Sequence, residues 1–238
     1  GSSLSATGGS NNVRGNSGIS AFELELVDAT VTATGGSGTE KGGSGIAAKG
    51  LNLVDATVTA TGGAGGGDGV YSSNSYGTSN FKNSKLTARG GDQLTPDGDG
   101  NGIFSDGKVI VGEGSEVIAI GGSNKTVNKD IYGGTALDFW GVGSGYEVQK
   151  GGKLTAIGGN AESESGNAKG GNALRGSYGG IVSAGETTLI GGNAKSGSGS
   201  ATGGDAITGD SYYFSQVTVK EGTFTALGGK AESATSTA

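Results

Sequence analysis

One short cassette recurs along this chain: an alternating run of apolar residues and threonines that ends in two glycines. In order it reads SATGG at 5–9, VTATGG at 31–36 and 58–63, LTARGG at 86–91, VIAIGG at 117–122, LTAIGG at 154–159, TTLIGG at 187–192 and FTALGG at 224–229. The diglycines begin at 8, 35, 62, 90, 121, 158, 191 and 228, so successive spacings are 27, 27, 28, 31, 37, 33 and 37 residues. Periods of this length are typical of solenoids, whose repeats stack on their neighbours.

The repeat unit is made of strands. Apolar and polar residues alternate at period two, and threonine, valine and isoleucine dominate the runs. Three strand positions recur in each unit, and the third is the cassette. The sequence therefore predicts an all-β fold, a right-handed single-stranded parallel β-helix of seven to eight coils with three strands per coil. At about 4.8 Å per coil, its length is roughly 35 Å.

The alternation assigns each residue to the inside or the outside of the coil. The first strand position places these residues inward: Ile19, Ile46, Val70, Ile103, Leu137, Leu174 and Ile207. The cassette places Val31, Val58, Leu86, Val117, Leu154 and Phe224 inward, and most of its outward residues are threonines: Thr32, Thr59, Thr87, Thr155, Thr188 and Thr225. We interpret this threonine column as a solvated strand face. An ice-binding array is the alternative, but the column next to it is not uniformly threonine.

The repeats are not equal in length, and the later ones carry extra residues. We predict a single domain over 1–238, a fragment of a longer surface protein, with loop excursions at 123–136, 160–172 and 193–205. Outward apolar residues at 120, 157 and 190 coincide with these longer units, so we expect the excursions to fold back over them.

Composition excludes several classes of function. Glycine accounts for 55 of 238 residues, yet there is one proline and no collagen period, and the regular apolar runs argue against disorder. The net charge of −6 gives a nucleic-acid partner no electrostatic footprint. No apolar run is long enough to insert into a membrane. The chain has no cysteine and no histidine, so thiolate chemistry and imidazole bases are excluded.

The outward residues of the first strand position form the most informative candidate site. Successive repeats place Tyr71, Phe104, Asp138 and Arg175 in one column, with Asp106 and Trp140 two residues further on. Aromatic side chains beside charged groups suit sugars, whose C–H faces stack on rings while their hydroxyls make polar contacts. The alternative is that Trp140 and Phe104 are covered by the long excursions and belong to the core.

The stretch DGDGNG at 97–102 matches the opening of a calcium-binding loop. Asp97, Asp99 and Asn101 are the candidate ligands, with Asp106 and the carbonyl of residue 103 completing the set. Lys108 stands where an EF-hand has its bidentate acid, so an EF-hand is excluded, and an ordinary Gly-Asp turn is the alternative.

Catalytic motifs are weak in this sequence. A glycoside hydrolase needs two carboxylates around one bond, for which Asp106 and Asp138 are candidate neighbours, although strand stacking alone brings many acids together. A polysaccharide lyase needs a basic group near a bound uronate, for which Arg175 beside Asp138 is the candidate. Neither pairing is specific, so we predict that the chain is not an enzyme.

The pattern of a Gly-Ile or Gly-Val corner followed by VTATGG resembles the right-handed β-helix domains of bacterial surface proteins. It is similar in particular to the calcium-associated carbohydrate-binding β-helix domains of polysaccharide-using bacteria. That resemblance implies a non-catalytic extracellular module that binds acidic plant polysaccharide, with calcium as a cofactor. A stalk or adhesin segment, and a polysaccharide lyase or hydrolase, remain the alternatives. Oligomeric state is not predicted.

Overall fold

A computed structural model describes residues 1–73, 77–93, 100–177, 179–209 and 216–234. These residues form strands and turns without a helix, so none of them forms a helix able to cross a membrane. The first strands are β1 (Ser2–Thr7), β2 (Ile19–Val27), β3 (Ala29–Thr34), β4 (Ile46–Val54), β5 (Thr57–Thr61), β6 (Val70–Ser72), β7 (Thr78–Lys82), β8 (Lys85–Arg89), β9 (Ile103–Ser105), β10 (Lys108–Val111) and β11 (Glu116–Ile120). The later strands are β12 (Asn124–Thr126), β13 (Ile131–Tyr132), β14 (Leu137–Phe139), β15 (Gly145–Val148), β16 (Lys153–Ile157), β17 (Ala161–Ser163), β18 (Ala168–Lys169), β19 (Leu174–Gly176), β20 (Gly180–Ser183), β21 (Glu186–Ile190), β22 (Ala194–Ser196), β23 (Ala201–Thr202), β24 (Ile207–Gly209), β25 (Gln216–Val219), β26 (Thr223–Leu227) and β27 (Ala231–Ser233).

The strands stack in parallel, as a β-solenoid requires, and the all-β prediction is confirmed. The cassettes form one sheet in the order β1-β3-β5-β8-β11-β16-β21-β26, which we call the cassette sheet. A wide sheet contains the first and second strand positions of each repeat. Its two ladders join because β2 and β4 each run through both positions without a break. Every ladder pairs a residue with its equivalent in the next repeat.

The observed register matches the predicted columns. In the cassette sheet, Val31 pairs with Val58, and the column continues through Leu86, Val117 and Leu154. These side chains are at most 2% exposed and belong to one continuous apolar core. At the first strand position, Ile46, Val70, Ile103, Leu137 and Leu174 stack in the same way.

The diglycines form a narrow waist where the chain passes close to itself. Those after each cassette lie against the glycines that end each excursion, and the backbone N–H groups donate across the waist. Starting from the last repeat, the N–H of each glycine donates to the carbonyl oxygen of the next at 2.8 Å, in the order Gly229, Gly204, Gly192, Gly171, Gly159, Gly134, Gly122 and Gly100. A Cβ on Gly158 would lie 1.9 Å from the Gly171 carbonyl oxygen, so no other residue fits there. Of this series, only Gly100 has a positive φ, of 49°. Close backbone approach therefore explains the glycines better than corner geometry does.

The long excursions contain regular strands, which differs from the three-strand prediction for these repeats. The strands β12, β17, β22 and β27 form one parallel sheet, and β13, β18 and β23 form another. Between them lies a second small core made of Ile131, Ala161, Ala168 and Ala194. Asparagines hold the excursions in register, since Asn160 Oδ1 accepts from the Asn193 N–H at 2.9 Å and Asn193 Oδ1 accepts from the Lys230 N–H at 2.9 Å. The waist thus separates a main lobe from a side lobe.

Candidate functional site

The first ladder of the wide sheet brings the predicted sugar-binding residues together. Tyr71 pairs with Phe104, Phe104 with Asp138, and Asp138 with Arg175 on successive strands. Asp106 and Trp140 follow the ends of β9 and β14, where the Asp106 N–H donates to the Ser72 carbonyl at 3.0 Å. We call these six residues the outer site.

Tyr71 and Phe104 stack on each other rather than lying flat on the surface. Their ring centroids are 5.1 Å apart and their planes differ by 8°. Both side chains are half-buried. Each ring covers one face of the other, so the ring edges rather than these two faces are turned toward solvent. This arrangement differs from the open aromatic platform that the sequence suggested, because the side-chain direction of neighbouring strand residues makes like rings stack.

Asp138 anchors the polar part of the outer site, although it lies beneath the surface. The prediction that it points to an exposed face needs correction, because its side chain is only 1% exposed. The Arg175 guanidinium donates to both carboxylate oxygens, at 3.1 and 2.5 Å, and Trp140 Nε1 donates to Oδ1 at 3.0 Å. A buried carboxylate needs such charged and hydrogen-bonding partners. Asp138 therefore fixes two neighbours rather than contacting a ligand.

Trp140 is the exposed aromatic residue of the outer site, with 46% of its surface accessible. The Arg175 guanidinium carbon lies 5.9 Å from the Trp140 ring centroid. The indole is thus held at its edge by Asp138 and contacted by a cation, a geometry in which a cation–π attraction operates. The alternative that the excursions bury Trp140 in the core is not what the structure shows.

Charge and burial perturb the acid–base groups of this face. Burial first, and the negative charge of Asp138 second, raise the pKa of Asp106. Burial, followed by the charges of Asp106 and Asp68, raises the pKa of the Tyr71 hydroxyl. Beneath the face, burial and then the Asp138 charge raise the pKa of Tyr146, whose ring meets Phe139 edge to face.

The predicted calcium ligands are only partly within the described residues. Asp97 and Asp99 lie outside them. Asn101 is 1% exposed, its N–H donates to Asp68 Oδ1 at 3.0 Å, and its side-chain amide has no hydrogen-bond partner. Asp106 is half-buried on the outer face. Across the described ranges, no group of three or more acidic, histidine or cysteine residues is placed to hold a metal ion.

Sequence reasoning missed a depression beside the outer site. Its volume is about 440 Å³, and its lining includes Phe22, Lys49, Ala47 and Tyr71. The signal in the sequence was the change from small residues, Ser20 and Ala47, to an aromatic residue within one outward column.

Fold and site together define a parallel β-solenoid with an aromatic and ionic cluster on one outer face. Comparisons with models of protein families, with curated proteins and with solved structures find no match to this chain.

Proposed function

We propose that this chain is a non-catalytic extracellular β-helix module that binds polysaccharide at a bacterial surface. The single observation that carries the proposal is the half-exposed Trp140, held by its Nε1 bond to the buried Asp138 beside Arg175. A ring fixed before binding loses little conformational freedom when a sugar stacks on it. The guanidinium supplies donors for sugar oxygens at the same place.

The finer description of the fold belongs to this proposal. We infer a right-handed, single-stranded helix of seven to eight coils. Right-handed crossovers between parallel strands are the rule, and eight cassette strands stack in one sheet. The outer site then lies along one side of a continuous ladder, where an extended polymer has access to several repeats.

The geometry favours binding over catalysis. Both oxygens of Asp138 already accept from Arg175 and Trp140, so this carboxylate is committed to holding its neighbours. A two-carboxylate hydrolysis needs both acids free to act on one bond. Turnover of a uronate polymer would instead support the lyase alternative.

The proposal includes a calcium ion, with Asp97, Asp99, Asn101 and Asp106 as its ligands. Its support within the described residues is the buried Asn101 amide, whose oxygen accepts no hydrogen bond. An oxygen of this kind suits a hard cation. The proposal predicts that a chelator weakens binding to acidic polymers.

The first experiment is a retention panel of neutral and uronic acid polysaccharides, run with calcium and with chelator. We expect retention by at least one polymer, and we expect Trp140→Ala to abolish it while Trp140→Phe keeps part of it. Circular dichroism of each variant separates lost binding from lost fold. Retention by no polymer under either condition would overturn the proposal.

A stalk or adhesin segment is the second candidate. The observation in its favour is the waist, where backbone hydrogen bonds of 2.8 Å follow one another from Gly229 to Gly100. This series of backbone hydrogen bonds links successive repeats independently of their side chains. A folded protein without polysaccharide retention but with unusual resistance to pulling along the solenoid would favour this function.

A further inference from the structure

The aromatic ladder of the outer site stops abruptly at Tyr71. Phe104 covers one face of the Tyr71 ring at a centroid distance of 5.1 Å. The residue paired with Tyr71 on the opposite side is Ala47, and beyond Ala47 comes Ser20. Neither small side chain can cover a ring. Among the described residues, Tyr71 therefore lines a depression on that side, and the ladder of rings ends there in a step.

The step is the depression of about 440 Å³ noted above. This size falls within the range of roughly 300–1,000 Å³ that small-molecule sites occupy. Ala47 and Ser20 form its floor, the Tyr71 ring forms one wall, and Phe22 and Lys49 line its side. An apolar wall with few polar groups around it is the usual composition of a site for a single ring.

Lys49 gives the step its polar group. Its Nζ lies 4.6 Å from the centroid of the Phe22 ring, which holds the ammonium beside the depression. Phe22 is 68% exposed and Lys49 is exposed as well, so the ring and the cation are both accessible. An ammonium has three donors and no acceptor, and it therefore selects oxygen-bearing ligands.

The orientation of the Tyr71 ring decides how a ligand lies. Tyr71 and Phe104 are parallel to within 8°, so a third ring stacked on Tyr71 continues their ladder. The plane of that ring crosses the direction in which the strands stack. The equatorial glycosidic bonds of a pyranose lie close to its ring plane, whereas its axial bonds are nearly perpendicular to that plane. The rest of an equatorially linked glycan therefore leaves the step sideways or outward, past a lining that includes Lys49.

We infer that this step is a subsite for one terminal or branch pyranose, which stacks on the free face of Tyr71 while Lys49 donates to its oxygens. The inference rests on the proposed polysaccharide binding and adds to it the part of the glycan that is recognised. It assigns Phe22, Ala47 and Lys49, which the outer site does not include.

The test fills the step with a side chain, so that the ligand can no longer enter it. Ala47→Phe extends the ladder by one ring into the step, and Ala47→Ser is the matched control that leaves the step open. Because residue 47 faces outward and is half-buried, neither change enters the core. The probes are methyl glycosides of glucose, galactose, xylose and galacturonic acid, followed by NMR saturation transfer and by shifts of the Tyr71 ring signals.

We expect at least one methyl glycoside to bind the wild type and the Ala47→Ser variant, and its affinity to fall about tenfold or more in Ala47→Phe. Lys49→Gln should weaken the same glycoside. If Ala47→Phe does not fold, Tyr71→Ala removes the wall and is expected to give the same loss. Unchanged glycoside affinity in these variants would overturn the subsite.

The polymer panel separates this inference from the function on which it rests. Polymer retention by the wild type that persists in Ala47→Phe, with no methyl glycoside bound, overturns the subsite and leaves the proposed function standing. Absence of retention by the wild type overturns both. Loss of polymer retention in Ala47→Phe but not in Ala47→Ser supports both.

Discussion

The early and late repeats share one waist but build different side lobes beyond it. In the first repeats the chain leaves the waist for six residues between Gly9 and Asn16, six between Gly36 and Gly43, and three between Gly63 and Gly67. In the later repeats it leaves for eleven residues each time, at 123–133, 160–170 and 193–203. The eleven-residue excursions stack as two sheets over a small core. The described early ones are joined by scattered backbone hydrogen bonds, such as Gly38 N–H to the Ala64 carbonyl at 3.0 Å, and by an isolated β-bridge between Arg14 and Lys41. Excursions that are both long and equal in length are therefore the ones that form a regular side lobe.

The outer columns of the two halves differ as well. Thr30 and Thr57 pair in the early repeats, and the same column continues as Lys85, Glu116, Lys153 and Glu186. Alternating signs let neighbours attract, with Lys85 Nζ 2.8 Å from Glu116 and Lys153 Nζ 3.0 Å from Glu186. A parallel in-register ladder brings equivalent residues together, so a charged column has to alternate in sign or repel itself.

The largest expected effect comes from breaking the waist that both halves share. Gly35→Ala and Gly158→Ala place a Cβ at 1.8 and 1.9 Å from carbonyl oxygens of Gly43 and Gly171. Backbone cannot move away at either position without opening the ladder, so we expect both variants to lose more than about 4 kcal/mol of stability or to fail to fold. Gly228→Ala is the matched control, because its nearest atom would be 3.8 Å away. Urea denaturation of the three variants checks this, and similar midpoints for Gly158→Ala and Gly228→Ala would contradict it.

The next prediction concerns the inner column beneath the outer site. Early repeats fill it with Ala48, Ser72 and Ser105, but the later ones pair a fully buried Phe139 with Gly176. A Cβ on Gly176 would lie 2.3 Å from the Phe139 ring, so the glycine makes room for the phenyl group. We expect Phe139→Ala to cost about 3–5 kcal/mol, as for other buried phenylalanines.

A double-mutant cycle tests this size compensation. Gly176→Ala should destabilise the wild type but be much better tolerated when Phe139 is already alanine, which gives a coupling free energy of about 1–3 kcal/mol. Thermal or urea unfolding of the four proteins supplies the measurement. Additive effects would show that the ring and the glycine are independent.

Register was predictable from the sequence, whereas side-chain depth was not. Period-two alternation fixes which residues share a column, and this placed Tyr71, Phe104, Asp138 and Arg175 on successive strands correctly. Column membership does not say that two rings stack face to face or that Asp138 lies under Trp140, because both depend on the rotamers of neighbours. The waist was missed for another reason. The diglycines that end each excursion, such as Gly170 and Gly171, are its second half, and their pairing with the cassette glycines is visible only in three dimensions.

A smaller effect is expected from disturbing the charge alternation of the late repeats. Lys153→Glu would line up three negative charges along the cassette sheet, in register with Glu116 and Glu186. These side chains are more than 40% exposed, so we expect a loss of only about 1 kcal/mol, which should shrink at high salt. The matched change in the early half, Thr57→Glu, faces Lys85 and should be neutral or slightly stabilising. Unfolding midpoints at low and high salt measure both, and a salt-independent loss in Lys153→Glu would point to packing instead.

The smallest effect concerns Asp106, at the edge of the outer site. Burial first, and the charge of Asp138 second, raise its pKa in the folded state. Between the pKa values of the unfolded and folded chain the folded state binds more protons, so this residue lowers stability as the pH rises through that window. Asp106→Asn cannot ionise and should therefore be more stable than the wild type above the window, by less than about 1 kcal/mol because solvent screens a group this exposed. Below about pH 3.9, where unfolded aspartate is protonated too, the difference should vanish.

Thermal unfolding of Asp106→Asn and the wild type across this pH range measures that difference. Glu40→Gln, which removes one negative charge from an exposed site, controls for net charge. A variant that is less stable than the wild type at neutral pH would mean that the Asp106 carboxylate makes a stabilising contact, which would move it from the edge of the outer site to its supporting structure. If Asp106→Asn is instead more stable than the wild type at neutral pH alone, the ionised Asp106 carboxylate makes no stabilising contact in the folded chain. This is the expected result for a group that meets a ligand or a cation on this face.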